Sequence, residues 1–263
     1  MFGRILVGTD GSETAKLAVA HAAHLAAALD AELIVATAHG GRGQRRQGSP
    51  PASDDPQAAI ARALLRDAAH AHGSTVRLKA VAVAGPPGEA LVELAAREAV
   101  DLVVVGNRGM GRAAWAPLSS VPDRVSHRAP VSVLIADTMG GRAPGYRRIL
   151  VGTDGSSSSQ RAIDAAVWLG ERTGAEIAAA TAADDEAAGT SALEPVRSRW
   201  PGLITLVAHG PPATALVNLA ESGRYDLVVV GNRGIAGPRR LLGSVPDRVA
   251  HEARTSVLIV ATG

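Results

Sequence analysis

The sequence contains no cysteine, and aromatic residues make up only 2% of it. Without cysteine the protein cannot form disulfides, thiolate metal sites, iron–sulfur clusters or a cysteine nucleophile. The scarcity of aromatic rings leaves almost nothing on which unpaired bases could stack. Lys and Arg number 27 against 25 Asp and Glu, and this near balance of +2 cannot by itself support binding to a phosphate backbone. We therefore expect no nucleic-acid partner.

Long apolar runs are also missing. No uninterrupted apolar stretch is long enough to span a bilayer, and MFGRILVGTDGS at the N-terminus lacks the pattern of a secretory leader. Hydrophobic residues at 46% and charged residues at 20% are typical of an ordinary globular protein. These absences predict a cytoplasmic protein with no membrane partner.

Several motifs of enzymes and nucleotide-binding folds are absent. The sequence has no GxxxxGK[ST], no GxGxxG at the first strand–helix turn, no GxSxG and no HExxH. A P-loop NTPase, a classical dinucleotide fold, an α/β-hydrolase and a zincin are thereby disfavoured. No nucleophile or general base is evident, so we predict no catalytic residue and no metal site.

An internal repeat organises the chain. RILVGTDGS at 4–12 recurs at 148–156, DLVVVGNRG at 101–109 recurs at 226–234, and SVPDRV at 120–125 recurs at 244–249. The first copy is longer, mainly through a Gly/Arg/Pro-rich stretch from Gly40 to about Gln57 that we interpret as a surface loop. We predict two homologous domains, 1–137 and 147–263, joined by a surface linker over 138–146.

Each copy alternates short Val/Ile/Leu runs with longer Ala/Leu/Arg segments of helical period. This is the pattern of βαβ units around a buried parallel sheet. In the first copy it predicts strands near 3–8, 31–38, 75–83, 101–106 and 131–136, with helices near 12–29, 56–72, 87–99 and 120–128. The second copy predicts strands near 147–152, 175–182, 203–208, 226–231 and 256–261.

The segment after the fourth strand is glycine-rich in both copies. It reads Gly106-Asn-Arg-Gly109, nine residues and Ser119-Ser120 in the first copy, and Gly231-Asn-Arg-Gly234, eight residues and Gly243-Ser244 in the second. Such a loop can bring backbone N–H groups and a helix N-terminus close to phosphates. The first strand ends in Gly-Thr-Asp-Gly-Ser, which would place a carboxylate at the topological switch point, beside a base or ribose.

Structural interpretations compete with these functional ones. Asp10 and Asp154 could cap the turn into the first helix, and Ser12 and Ser156 have the character of N-caps. His127 and His251 occupy equivalent positions on the fourth helix, where we interpret them as packing residues. The basic run at Arg42, Arg45 and Arg46 is interpreted as solvated loop.

Taken together, ILVGTDGS, DLVVVGNRG, and GSVPDRVxHxA followed by SVLI resemble the universal stress protein family in its tandem-domain form. The resemblance covers essentially the whole chain. It implies two tandem open five-stranded parallel sheets, Rossmann-like, in the order 3-2-1-4-5 and flanked by helices. It also implies pairing of the fifth strands, within the chain as a pseudo-dimer or between chains as a homodimer.

The resemblance implies ATP as the ligand, with accompanying Mg²⁺ left open. Gly8 and Asp10 would border the adenosine, Ala38 would meet the adenine, and residues 106–112 and 119–121 would hold the ribose and phosphates. The first-copy residues of this last group are Gly106, Asn107, Arg108, Gly109, Met110, Gly111, Arg112, Ser119, Ser120 and Val121. The second-copy residues are Gly152, Asp154, Ala182, Gly231, Asn232, Arg233, Gly234, Ile235, Ala236, Gly237, Gly243, Ser244 and Val245.

Both copies depart from the family pattern G-x2-G-x9-G-[ST]. Ser119 replaces the third glycine in the first copy, and the second has eight intervening residues, Pro238 among them. The leading hypothesis is an ATP-binding stress-response sensor or regulator with little or no hydrolysis. The alternatives are a slow nucleotide hydrolase or transferase, and a family member that has lost nucleotide binding and acts through protein contacts.

Overall fold

The computed structural model describes residues 1–39, 63, 66, 67, 71, 76–107, 121–141, 143–232 and 244–261. In the first copy the elements are β1 (Arg4–Gly8), α1 (Glu13–Leu29), β2 (Glu32–His39), β3 (Arg77–Ala84), α2 (Pro87–Arg97), β4 (Leu102–Gly106), α3 (Val121–Arg128) and β5 (Ser132–Ala136). In the second they are β6 (Arg148–Gly152), α4 (Ser157–Thr173), β7 (Glu176–Ala182), α5 (Glu186–Arg199), β8 (Ile204–Ala208), α6 (Pro212–Ser222), β9 (Leu227–Asn232), α7 (Ser244–Glu252) and β10 (Ser256–Ala261).

The ten strands form one continuous sheet in the order β3-β2-β1-β4-β5-β10-β9-β6-β7-β8. Each half keeps the expected order 3-2-1-4-5, and its strands run parallel. The two five-stranded units join edge to edge, as the expected pairing of the fifth strands implies, because β5 pairs with β10 in antiparallel register. Leu134 lies opposite Leu258 at the centre of this seam.

Burial on both faces explains why the central strands are apolar throughout. Residues 5–7 of β1 and 102–105 of β4 are all at most 3% exposed, as are their second-copy equivalents. Helices cover the two faces, so no side of these strands meets water, and Val, Ile and Leu occupy every position. One buried cluster contains residues of α1 and α4, and the other contains residues of α2, α3, α6 and α7.

The two ends of the linker between the halves are more buried than the Gly/Pro content of the segment predicts. Its middle is exposed, as Met139 at 69% shows, but Asp137, Thr138 and Tyr146 are at most 5% exposed. Tyr146 lies against α1 of the first half, where its hydroxyl is 3.3 Å from His21 Nδ1. The expectation of a surface connection is therefore correct only for the middle of the segment.

Some expectations fall outside the described residues. The loop over 40–57, with Arg42, Arg45 and Arg46, lies there entirely, and of the helix predicted over 56–72 only residues 63, 66, 67 and 71 are described, all helical. In the described ranges, no helix has both the length and the apolarity needed to cross a membrane.

Candidate functional site

A cavity of about 330 Å³ opens where the second half's β6 and β9 end side by side. It lies at the carboxyl edge of the sheet, at the switch point between β6 and β9, where ligands of open α/β sheets bind. The site residues predicted from sequence that line it are Gly152, Asp154, Ala182, Gly231, Ser244 and Val245.

An equivalent cavity of about 650 Å³ lies in the first half, where β1 and β4 end. The predicted residues that line it are Gly8, Asp10, Ala38, Gly106 and Val121. Because the antiparallel seam reverses one half relative to the other, the two cavities open at opposite edges of the common sheet. Both have the volume of a small-molecule pocket.

The Gly-Thr-Asp-Gly-Ser turn shapes one wall of each cavity. Asp10 Oδ1 accepts a hydrogen bond of 2.9 Å from the Ser12 backbone N–H, and Gly11 adopts a φ of 79° that only glycine takes readily. Asp154 Oδ1 accepts an equivalent bond of 3.0 Å from Ser156. Each aspartate thus fixes its turn, as the capping interpretation predicts, and it also borders a cavity, where its role in binding stays a prediction.

The two serines behave as N-caps. Ser12 Oγ accepts a hydrogen bond of 3.2 Å from the Ala15 N–H at the start of α1, and Ser156 Oγ accepts one of 3.3 Å from Ser159 at the start of α4. The copies differ one turn later. Ser159 Oγ lies 2.8 Å from Thr153 Oγ1 and lines the second cavity, whereas Ala15 stands at its equivalent in the first.

Apolar residues form the opposite wall of each cavity, and sequence reasoning missed them. Pro87 and Leu91 of α2 line the first cavity, and Pro212 and Leu216 of α6 line the second. A side chain at Gly8 would bring its Cβ within 2.7 Å of Leu91 Cδ1. The repeated GPPxxAL, at 85–91 and 210–216, was the signal that could have revealed this wall.

The side chain of Asn107 contacts the linker, whereas the prediction for this residue is a contact with the ribose or phosphates. It follows β4, but its side chain holds the linker: Oδ1 accepts from the Thr138 N–H, and Nδ2 donates to Asp137 Oδ1 at 3.1 Å. Its equivalent, Asn232, is the last residue of β9, where it pairs in register with Ala261. Neither asparagine is among the described residues that line the cavities.

The remaining predicted residues lie outside the described part of the chain. They are Arg108, Gly109, Met110, Gly111, Arg112, Ser119, Ser120, Arg233, Gly234, Ile235, Ala236, Gly237 and Gly243. Among the described lining residues, Asp10 and Asp154 are the only ionisable side chains. Within the described ranges no three His, Cys, Asp or Glu residues are grouped as metal ligands.

Comparison with curated proteins gives relatives over about half to two thirds of the chain. A universal stress protein of Mycobacterium tuberculosis is 37% identical over 140 residues, which cover 51% of this chain and 95% of that protein. Another from the same organism is 31% identical over 205 residues, covering 69% of this chain and 68% of its own length.

The fold has a solved counterpart of similar length. The crystal structure of a universal stress protein from Archaeoglobus fulgidus superposes with a TM-score of 0.76, at 21% identity, over 99% of this chain and 96% of that one. The model of the "Universal stress protein family" matches residues 1–137, 145–199 and 192–261. Two switch-point cavities, a duplicated sequence and family matches in both halves lead to one conclusion: this chain belongs to the universal stress protein family.

Proposed function

We propose that the chain binds an adenine nucleotide, with ATP the expected ligand, in the cavity of each half. The observation that carries the proposal is the repeated set of cavity residues at both switch points. Each set has a glycine that ends the first strand, an aspartate two residues later, and a glycine at or next to the end of the fourth strand. Adenine and ribose would contact the apolar wall, and the carboxylate would accept a hydrogen bond from a ribose hydroxyl or the base.

The phosphates would lie toward the glycine-rich segment and the start of the following helix. Ser244 and Val245 at the start of α7, and Val121 at the start of α3, line the cavities at that end. Unpaired N–H groups and the helix dipole favour anions there. Mg²⁺ would then arrive with the phosphates, since the described carboxylates are not grouped to hold it by themselves.

We propose a regulatory role in the stress response, with little or no hydrolysis. In the described walls, one aspartate per cavity is the only group that could accept a proton from water, and it already accepts a turn N–H. Binding ground and transition states equally accelerates nothing. Turnover above about 1 per second, within the usual enzyme range, in preparations free of contaminating ATPase would favour a hydrolase.

Titration calorimetry on nucleotide-free protein tests the binding. ATP, ADP, AMP, cyclic AMP and GTP are titrated separately, because a base-specific site must prefer adenine whatever the number of phosphates. D10A and D154A should each remove one site or weaken it by about tenfold, through loss of one hydrogen bond to a charged acceptor. E171A, which removes an exposed carboxylate near the far end of α4, is the charge-matched control.

Mass spectrometry of the purified protein identifies any nucleotide that is carried along. Absence of binding by every adenine nucleotide, in folded protein, would refute the proposal and leave the alternative in which the chain acts through protein contacts alone.

A further inference from the structure

Two histidines reach across the junction between the halves. His251, on α7, places Nε2 at 3.1 Å from Oδ1 of Asp123 on α3. His127, on α3, places Nε2 at 3.5 Å from Oδ1 of Asp247 on α7. Sequence analysis interpreted both histidines as packing residues, but each faces a carboxylate of the opposite half, with 20% and 37% of the His127 and His251 side chains exposed.

The helices themselves orient the rings. His127 Nδ1 lies 2.8 Å from the Asp123 carbonyl oxygen, four residues earlier, and His251 Nδ1 lies 2.8 Å from that of Asp247. In each ring, Nδ1 therefore lies beside a carbonyl oxygen of its own helix. Nε2 lies near a carboxylate oxygen of the partner half.

The two aspartates stand next to the proposed phosphate ends. Asp123 follows Val121 and Pro122, which line the first cavity. Asp247 follows Val245 and Pro246, which line the second. A carboxylate in the first turn of such a helix repels a phosphate bound at the helix start. The imidazole of the partner half packs beside this carboxylate and restricts the position of the turn.

We infer that the histidines are positioning residues acting in trans: His251 supports the nucleotide site of the first half, and His127 supports that of the second. Each holds the first turn of the helix bordering the other half's cavity, through its contact with the aspartate of that turn. This inference rests on the proposed function, and it makes each site depend on a residue of the other half.

The test is a crossed one, because each site can be measured alone. In a D154A background the second site is lost or weakened, so the tighter ATP binding reports the first site, and in a D10A background it reports the second. H251A should weaken ATP at the first site by about threefold to tenfold and leave the second nearly unchanged, while H127A should do the reverse. If the histidine had only a local structural role, its replacement would weaken ATP binding in its own half at least as much as in the other half.

Matched controls exist at equivalent positions on the same helices. Arg124 pairs with Glu89 and Arg248 pairs with Glu252, each within its own half. R124Q and R248Q should therefore not give the crossed pattern. H251Q, which keeps an N–H donor toward Asp123, should restore part of the affinity lost in H251A. The inference would be overturned if H251A and H127A weakened ATP binding only in the half that carries the replaced histidine, or equally in both halves.

Hydrogen exchange without nucleotide separates this inference from the proposed function. In H251A, the backbone amides of 125–129 in the opposite half, which donate to the carbonyls of the first turn of α3, should exchange about threefold to tenfold faster, and in R248Q they should not. If neither the wild type nor any variant binds an adenine nucleotide, the proposed function fails. Hydrogen exchange then decides by itself whether His251 positions α3. Unchanged exchange at 125–129 in H251A would refute it.

Discussion

Asn107 and Thr138 are joined by two hydrogen bonds that end on the same atom. Asn107 Oδ1 accepts from the Thr138 backbone N–H at 3.0 Å and from its hydroxyl at 2.8 Å. Asn107 directly follows β4, and Thr138 belongs to the linker. The bonds therefore fasten the connection between the halves to the edge of the sheet where the first cavity lies.

Replacing Asn107 with Ala should lower the free energy of unfolding by about 2 kcal/mol, because the largely buried polar groups of Thr138 would lose their acceptor. Urea unfolding followed by circular dichroism measures the change. Asn218→Ala, at an exposed position on α6, removes the same amide and should change stability by less than about 0.5 kcal/mol. Equal stability of the two variants would show that the linker is held by other contacts.

Stability should depend on the buried imidazole of His21. Burial lowers the pKa of His21, and the nearby His24 lowers it further, although Asp137 partly opposes the shift. The unfolded chain then binds a proton more readily than the folded one, so this contribution to the free energy of unfolding falls as pH drops below the ordinary histidine pKa of 6.5. Above that pH the contribution is fully present.

The difference between wild type and His21→Gln isolates the effect. Urea unfolding is measured for both between about pH 8 and about pH 5, and the wild type should lose more stability than the variant as pH falls. His209→Gln, at an exposed histidine, serves as the control and should follow the wild-type profile. Parallel profiles for wild type and His21→Gln would contradict this prediction.

A charge in the seam should loosen the two halves. Val133 pairs in register with Ile259 and is 2% exposed. Val133→Asp should cost about 3 kcal/mol or more, because the carboxylate would be buried without a partner. Hydrogen exchange measures the effect, because the backbone amides of β5 and β10 should exchange faster in this variant. Ile204→Asp on the edge strand β8, where Ile204 is 55% exposed, should leave those amides protected.

The two sites should differ, with the second binding ATP more tightly. Ser119 stands where the family pattern has glycine, whereas Gly243 is retained. Ser119→Gly should strengthen the first site, and Gly243→Ser should weaken the second, each by about fivefold, or roughly 1 kcal/mol. Calorimetry in the D154A and D10A backgrounds measures each site. The argument fails if Ser119→Gly has no effect and both wild-type sites bind equally well.

Repetition and periodicity predicted the sheet well. The strands themselves were predictable because buried parallel strands need continuous apolar runs, and such runs are visible in the sequence. The strand order within each half and the pairing of the fifth strands came from the family resemblance, and the structure has both. The end of the first strand also placed Asp10 at the switch point, where it lines the first cavity. These features depend on residues close together in the chain.

Features that depend on contacts between distant segments were not predictable. Tyr146 appeared at the end of a Gly/Pro-rich connection, and only the fold reveals that it is buried against α1. His127 and His251 have no carboxylate of the other half near them in sequence, so their cross-junction pairs were missed. The leucine walls of the cavities were missed because an apolar helix face also predicts ordinary core packing.

The two copies are joined covalently by the linker and pair along the seam between β5 and β10. This arrangement has an evolutionary consequence. In a symmetric dimer of identical subunits, every substitution appears twice, so both sites change together. Here, the position beside the aspartate turn holds Ala15 in one half and Ser159 in the other. Joining both copies in one chain fixes the ratio of the two halves at one to one. Each half can then accumulate substitutions that are absent from the other half.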